Sequence, residues 1–279
     1  MKILTFDIEE WFHCDFISDS SEWNKYEVRI HKAVDLILNM LDEKGLTGTF
    51  FILGWIAEKY PEVVRKIYSK KHEIACHSYM HELVYNMDYK TFRMDSEKAI
   101  NILEDIIGSK ITIYRAPGFS ITENNIWAFE ILAELGIDTD CSIFPSSHDY
   151  GGFPSFTERH PTILNIRGNR VKEFPINTVS IMSKEIVFSG GGYFRIMPYY
   201  FIKRWSKKTD YVMSYFHPRD FDYEQPRLTH LPIQRRFKSY VGLRTSQQKF
   251  LQWITDFQMV SIGEATILID WSKVKTITL

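Results

Sequence analysis

An α/β fold built on a largely parallel sheet is predicted by three features of this chain. Short apolar runs alternate with stretches of helical periodicity along most of the 279 residues, the pattern of repeated strand and helix units. Periodic stretches stop at glycines, as at Gly45, Gly108 and Gly136, which end helices readily. Ionisable residues sit at the downstream ends of separate strand-like runs, the edge at which parallel folds build ligand sites.

The elements follow in order. KILTF (2–6) reads as a strand, followed by a loop rich in aromatics and acids. Val28, Val34, Ile37, Leu38 and Leu41 recur at helical spacing and stop before Gly45. TGTFFIL (47–53) is β-rich, and WIAEKYPEVVRKIYSKK (55–71) reads as helix interrupted at Pro61. HEIACH (72–77) is a short strand. Ala99, Ile102, Leu103, Ile106 and Ile107 predict an amphipathic helix closed by Gly108, and ITIYR (111–115) another strand. Thr122 is expected to cap the helix ENNIWAFEILAEL (123–135). GIDTD (136–140), VKEFPI (171–176) and YVMSYFH (211–217) continue the strand series, and SQQKFLQWITDF (246–257) is the last expected helix. Residues 143–198 are poor in helix signals and rich in Gly, Pro and aromatics, which predicts inserted loops or a small antiparallel excursion. No Gly/Ser/Pro-rich linker or internal repeat divides the chain, so one domain over 1–279 is expected.

Composition narrows the classes. Apolar residues make up 44% and charged residues 25%, an ordinary globular profile. Thirty-four Lys and Arg stand against 35 Asp and Glu, so no overall field favours nucleic acid. No apolar run approaches a membrane span, and acids appear by Asp7, too early for a signal peptide. Cys14, Cys76 and Cys141 are too few for a disulfide framework. These features predict a reduced, cytoplasmic protein.

Asp7 and Glu9 follow the first strand, His77 ends HEIAC with His81 four residues on, Arg115 ends ITIY, Asp140 ends GIDT, and His217 ends YVMSYF. A solitary residue of this kind is more often a capped turn; five strands delivering them to one edge point to a site. Imidazoles at i and i+4 on one helical face lie about 5–6 Å apart, so His77 and His81 are expected to reach one ion. A carboxylate would complete a three-ligand site of the catalytic zinc type, which lowers the pKa of a bound water toward about 7. A second carboxylate can then act as base, a separate histidine as acid, and Arg115 would orient the base through a bidentate contact. The set describes hydrolysis of an acyl or similar bond.

TFDIEE (5–10), HSYMH (77–81), RAPGFS (115–120), DCSIFP (140–145) and SYFHP (214–218) resemble, in order, the motifs of the NodB-homology polysaccharide deacetylases, carbohydrate esterase family four. SGGGYFRIMP (189–198) and FHPRDFDYEQPR (216–227) look more narrowly like the exopolysaccharide-biosynthesis subgroup found with exosortase systems. The resemblance implies a distorted (β/α) barrel of seven or eight mostly parallel strands. It also implies metal-dependent removal of N-acetyl groups from a saccharide that is free, lipid-linked or polymeric. By position, Asp7 is the implied base, His77 and His81 are metal ligands, and Arg115 tethers the base. His217 is the general acid, with Asp140 tuning it. The oxyanion falls to the metal and a backbone N–H near Ser142–Phe144. Pro117, Gly118 and Phe119 shape the pocket wall, and Gly191, Tyr193 and Arg195 face substrate. The commonest family pattern puts the metal carboxylate directly after the base, whereas here Ile8 follows Asp7. Strand parity places Asp7 and Glu9 on one face and Glu10 on the other, which selects Glu9 as third ligand. Zn2+ is the expected ion.

Other residues carry weaker signals. Trp11 is expected either to stack on a sugar ring or to pack in the core. His72 is expected to be exposed, and His13, His148 and His160 lie in loops. Arg235, Arg236 and Lys238 form a short basic cluster that suits solvated surface or a phosphate-bearing carrier. Two other functions stay open at this stage: hydrolysis of another C–N amide bond, as in allantoinase-like relatives, and a catalytically degenerate barrel that binds glycan.

Overall fold

The computed structural model describes residues 1–13, 20–147, 151–181, 184–229 and 231–279; His148 and Cys14 lie outside them. The first half runs β1 (Lys2–Ile3), β2 (Thr5–Ile8), α1 (Ile30–Asp42), β3 (Thr49–Ile52), α2 (Gly54–Lys59), α3 (Pro61–Ser69), β4 (Glu73–Cys76), α4 (Tyr89–Ile107), β5 (Ile113–Tyr114), α5 (Trp127–Glu134) and β6 (Thr139–Asp140). Two hairpins follow, β7 (Thr162–Ile166) with β8 (Asn169–Glu173) and β9 (Val179–Ile181) with β10 (Lys184–Ile186). The chain closes with α6 (Gly191–Ile196), α7 (Tyr199–Lys208), β11 (Val212–Met213), α8 (Ile233–Tyr240), α9 (Leu243–Asp256), α10 (Ile262–Leu268) and β12 (Thr276–Thr278).

Eight strands form one sheet in the order β12-β7-β8-β6-β5-β4-β3-β2. Every neighbouring pair is parallel except the β7–β8 hairpin. Beyond β2 the parallel pairing continues: β1 pairs with β11, Phe6 bridges Phe216, and Gly190 bridges Tyr215. The strands curl into the distorted (β/α) barrel that the motifs imply.

Alternation along the strands decides which side chains enter the barrel. Phe6, Ile8, Phe50, Ile52, Cys76 and Tyr114 belong to the large cluster under the helices. Phe51, Ala75 and Ile113 belong to a second cluster inside the barrel. Asp7, in register with Phe51 and Ala75, therefore points inward, as do His77 and Arg115, each two residues beyond an interior position. Asp140 is in register with Tyr114, which pairs with Cys76. That row faces the helices, so Asp140 is one residue out of phase with Arg115.

Local rules account for several element ends. Pro61 opens α3 directly after α2, Asp88 caps α4 by accepting from Thr91 N, and Gly108 closes it at φ 68°. The 143–198 stretch holds the two antiparallel hairpins. Three expectations differ. Residues 77–81 are a turn rather than a helical face, with Ser78 and His81 at φ 63° and 57°. Thr122 does not cap a helix at 123; its N–H and hydroxyl donate to Asn125 Oδ1, and α5 starts only at Trp127. The helix at 246–257 is followed by α10 and β12. Among the described residues no helix is long and apolar enough to cross a membrane.

Candidate active site

At the carboxyl edge of β2 and β4 the donor atoms of Glu9, His77 and His81 lie within 4.8 Å of one another. The left-handed turn residues Ser78 and His81 fold the 77–81 segment back, bringing the two imidazole centroids to 5.4 Å. Such backbone is disfavoured for non-glycine residues and concentrates at functional sites. Glu9 Oε2 is 2.6 Å from His81 Nε2. His77 Nδ1 lies 2.8 Å from Arg115 O. Burial pushes His77 down to about 4, so the ring is neutral near pH 7. Its Nδ1–H then donates to that carbonyl and its Nε2 lone pair is left for a cation. Burial raises the Glu9 carboxyl, but the His81 charge and hydrogen bond, then His217 and His77, outweigh it and hold Glu9 well below the usual range. Two imidazoles and one ionised carboxylate fit a divalent cation of the zinc class.

Glu10 takes the other side of the strand end. Its Oε1 accepts from Arg29 N at 2.7 Å and Ile30 N at 2.8 Å, serving as an anionic cap for α1. Burial nevertheless pushes it up to about 7.

Asp7 is buried beside the cluster. Arg115 Nη1 donates to Asp7 Oδ1 at 2.6 Å and to Thr5 Oγ1 at 2.8 Å. The expected bidentate contact is thus a single one, shared with Thr5. The guanidinium lies over the Phe51 ring, 4.0 Å from its centroid. Asp7 Oδ2 faces His217 Nε2 at 3.8 Å, and Glu9 Oε1 faces the same nitrogen at 3.9 Å.

His217 is oriented from behind by Asp220, a residue absent from the sequence expectations. Asp220 Oδ2 accepts from His217 N at 2.9 Å and lies 3.2 Å from His217 Nδ1. Arg195 Nε is 2.9 Å from the other oxygen, Oδ1. Burial works against the imidazolium. The Asp220 hydrogen bond and the charges of Glu9, Asp220 and Asp7 exceed that effect, pushing His217 up to about 9. The signal was present in His217-Pro218-Arg219-Asp220: proline at the first helical position with an acid three residues after the cap is capping-box spacing, and the box forms here.

Asp140 stands apart from His217. Its Oδ2 accepts from Ser142 N at 2.6 Å and its Oδ1 from Ser142 Oγ at 2.8 Å. It forms a buried carboxyl pair with Glu173, both raised by burial. Glu173 Oε1 also accepts from Ile143 N at 3.2 Å. Two of the three amides expected near an oxyanion are therefore engaged by carboxylates.

Of the residues expected to face substrate, Phe119 is buried between Phe144 and Tyr215, with ring centroids at 6.0 and 5.5 Å, while Pro117 and Gly118 form its tight turn. Trp11 is buried, donating Nε1–H to Glu27 O at 2.9 Å, which is core packing. At Gly190 and Gly191 the close approach is to the protein itself: an added Cβ would sit 2.0 Å from Tyr215 O and 3.0 Å from the Tyr215 hydroxyl, respectively. Arg195 is buried against Asp220 rather than open to ligand, and Tyr193 is exposed. His13 is buried among Trp23, Trp55 and Phe12, and His72 is buried against Phe50 rather than exposed.

Comparison with known proteins adds the family. Residues 3–139 match the family model described as polysaccharide deacetylase. They form a polysaccharide deacetylase domain. Residues 141–266 match a second model, described as a domain of unknown function, DUF3473. The sheet ignores this boundary, since β6 of the deacetylase domain pairs with β8, and His217, Asp220 and Arg195 come from the second region. Among curated relatives, the peptidoglycan-N-acetylglucosamine deacetylase of Bacillus cereus is 31% identical over 131 residues, 43% of this chain and 48% of that protein. A peptidoglycan deacetylase-like protein of Gibberella zeae is 30% identical over 119 residues, 42% of this chain and 34% of that protein. The matches thus span half or less of these relatives. Among solved structures, a candidate polysaccharide deacetylase from Mycobacterium smegmatis superimposes with a TM-score of 0.67 at 20% identity, covering 100% of this chain and 92% of that one. A carbohydrate esterase family four pseudoenzyme from Bacillus anthracis gives 0.50 at 11% identity, covering 99% and 66%. At such identities these structures speak for the fold.

Proposed function

We propose that the chain is a metal-dependent hydrolase that removes N-acetyl groups from a saccharide during cell-surface or exopolysaccharide assembly in the cytoplasm. One observation carries this reading: Glu9, which forms a candidate metal triad with His77 and His81, and Asp7 both face His217 Nε2, at 3.9 and 3.8 Å. Glu9, His77 and His81 would hold Zn2+, which would supply Lewis acidity and lower the pKa of a water there. Asp7, positioned by Arg115, takes the proton from the attacking water. His217, held by Asp220, gives a proton to the departing amine. A glycan-binding barrel needs neither group. The fit of the family, and the peptidoglycan deacetylase among its relatives, support an N-acetylated sugar as substrate. The test is acetate release from a panel of N-acetylated glycans and cyclic amides. Release confined to glycans, stopped by a chelator and restored by Zn2+, supports the reading; turnover of cyclic amides alone, or turnover indifferent to chelation, defeats it.

A further inference from the structure

Residues 191–208 and 225–249 carry eleven Lys and Arg and no Asp or Glu, although basic and acidic residues balance at 34 and 35 over the chain. These segments form α6, α7, α8 and the start of α9, and Arg195 ties α8 to α6. Its Nη1 donates to Ser239 O and Val241 O, both at 2.9 Å, and its Nη2 to Lys238 O at 3.0 Å, so the end of α8 is clamped beside α6.

The exposed side chains of these helices have a distinctive mixture. Every residue from Pro232 to Lys238 is exposed. Ile233 and Phe237, one helical turn apart, are 82% and 56% exposed, with Arg235 and Arg236 exposed beside them. On α7, Tyr200 and Phe201 are 65% and 44% exposed and share the helix with exposed Arg204, Lys207 and Lys208; Lys203 differs in pairing with Asp256 at 2.8 Å. Large apolar side chains held in water mark an interaction surface. When the surrounding charge is predominantly positive, the complementary surface is apolar beneath and anionic at its face, which describes headgroups over acyl chains.

We propose that α8 forms a docking surface for an anionic lipid bilayer. The inference stands independently of the proposed hydrolysis, but it bears on it. The patch begins at α6, whose Gly191 packs on Tyr215, and the Tyr215 ring centroid lies 5.9 Å from that of His217. Docking holds the site close to the headgroups, where a lipid-carried glycan is presented.

The test is co-sedimentation of the full chain with vesicles of phosphatidylcholine alone, or with about a third phosphatidylglycerol. The expected result is roughly tenfold stronger binding to the anionic vesicles, falling as salt shortens the Debye length from about 10 Å toward 3 Å. Ile233→Ser with Phe237→Ser, and separately Arg235→Glu with Arg236→Glu, are each expected to lower binding roughly tenfold with thermal unfolding unchanged. Equal binding to both vesicle types, binding to neither, or variants that bind like the parent overturn the proposal. Vesicle binding by a preparation that releases no acetate would leave this surface standing and count against the hydrolase.

Discussion

Replacing Arg115 by Met tests the buried pair beneath the site. The substitution keeps an apolar stem over Phe51 but removes the partner of Asp7, whose side chain is 4% exposed while that of Arg115 is 1% exposed. Water offers almost no compensation at such burial, so the cost is that of an uncompensated buried carboxylate, about 3–5 kcal/mol. At about 2–4 °C per kcal/mol for a chain of this size, the melting temperature is expected to fall by roughly 6–20 °C. Arg115 also donates to Thr5 and lies on Phe51, so the single variant overstates the pair. A double-mutant cycle with Asp7→Asn removes that excess. Asp7→Asn with Arg115→Met is expected to cost less than the sum of the two singles by about 1–3 kcal/mol, read by urea unfolding. Singles that add to within about 0.5 kcal/mol would refute the claim that these side chains are energetically coupled.

Three other outcomes are expected. Asp220→Asn leaves the metal triad intact but removes a charge-assisted hydrogen bond worth about 1.5–3 kcal/mol, so kcat on an N-acetylated glycan should drop by roughly 10–150-fold with zinc content unchanged; an unaltered kcat would remove Asp220 from the mechanism. His77→Ala or Glu9→Gln should abolish stoichiometric Zn2+ retention after gel filtration, whereas Glu10→Gln, on the other side of the strand end, should retain the ion. The Asp140–Glu173 pair has a pH signature. Burial raises Asp140 from 3.8 to about 6 and Glu173 in the same direction, so the folded state binds more protons than the unfolded one. Their contribution is therefore complete below the unfolded value and is lost as pH rises through about 4 to 6 and beyond, with a slope of up to about 1.4 kcal/mol per pH unit per proton. Glu173→Gln should flatten that decline in unfolding free energy, and an unchanged pH profile would show that the pair titrates normally.

The sequence by itself determined the strands and what lies at their ends. Apolar alternation in TFDI fixes which residues face the barrel, so the separation of Asp7 and Glu9 from Glu10 follows from strand period alone. Gly108 and Pro61 set helix ends through backbone chemistry local to them. Only the tertiary structure decided how loops meet. His77 and His81 converge through a left-handed turn, which a helical reading of their spacing misses because the two conformations share that spacing. Asp140 turns from the interior because register with Tyr114, a contact between strands, sets its face. Arg195 reaches Asp220 from a helix of its own, and Trp11 is covered by Phe12, Tyr26 and the Glu27 carbonyl of the loop that follows it. Periodicity reports on a residue's own element, whereas burial and pairing across elements depend on which surfaces the folded chain brings together.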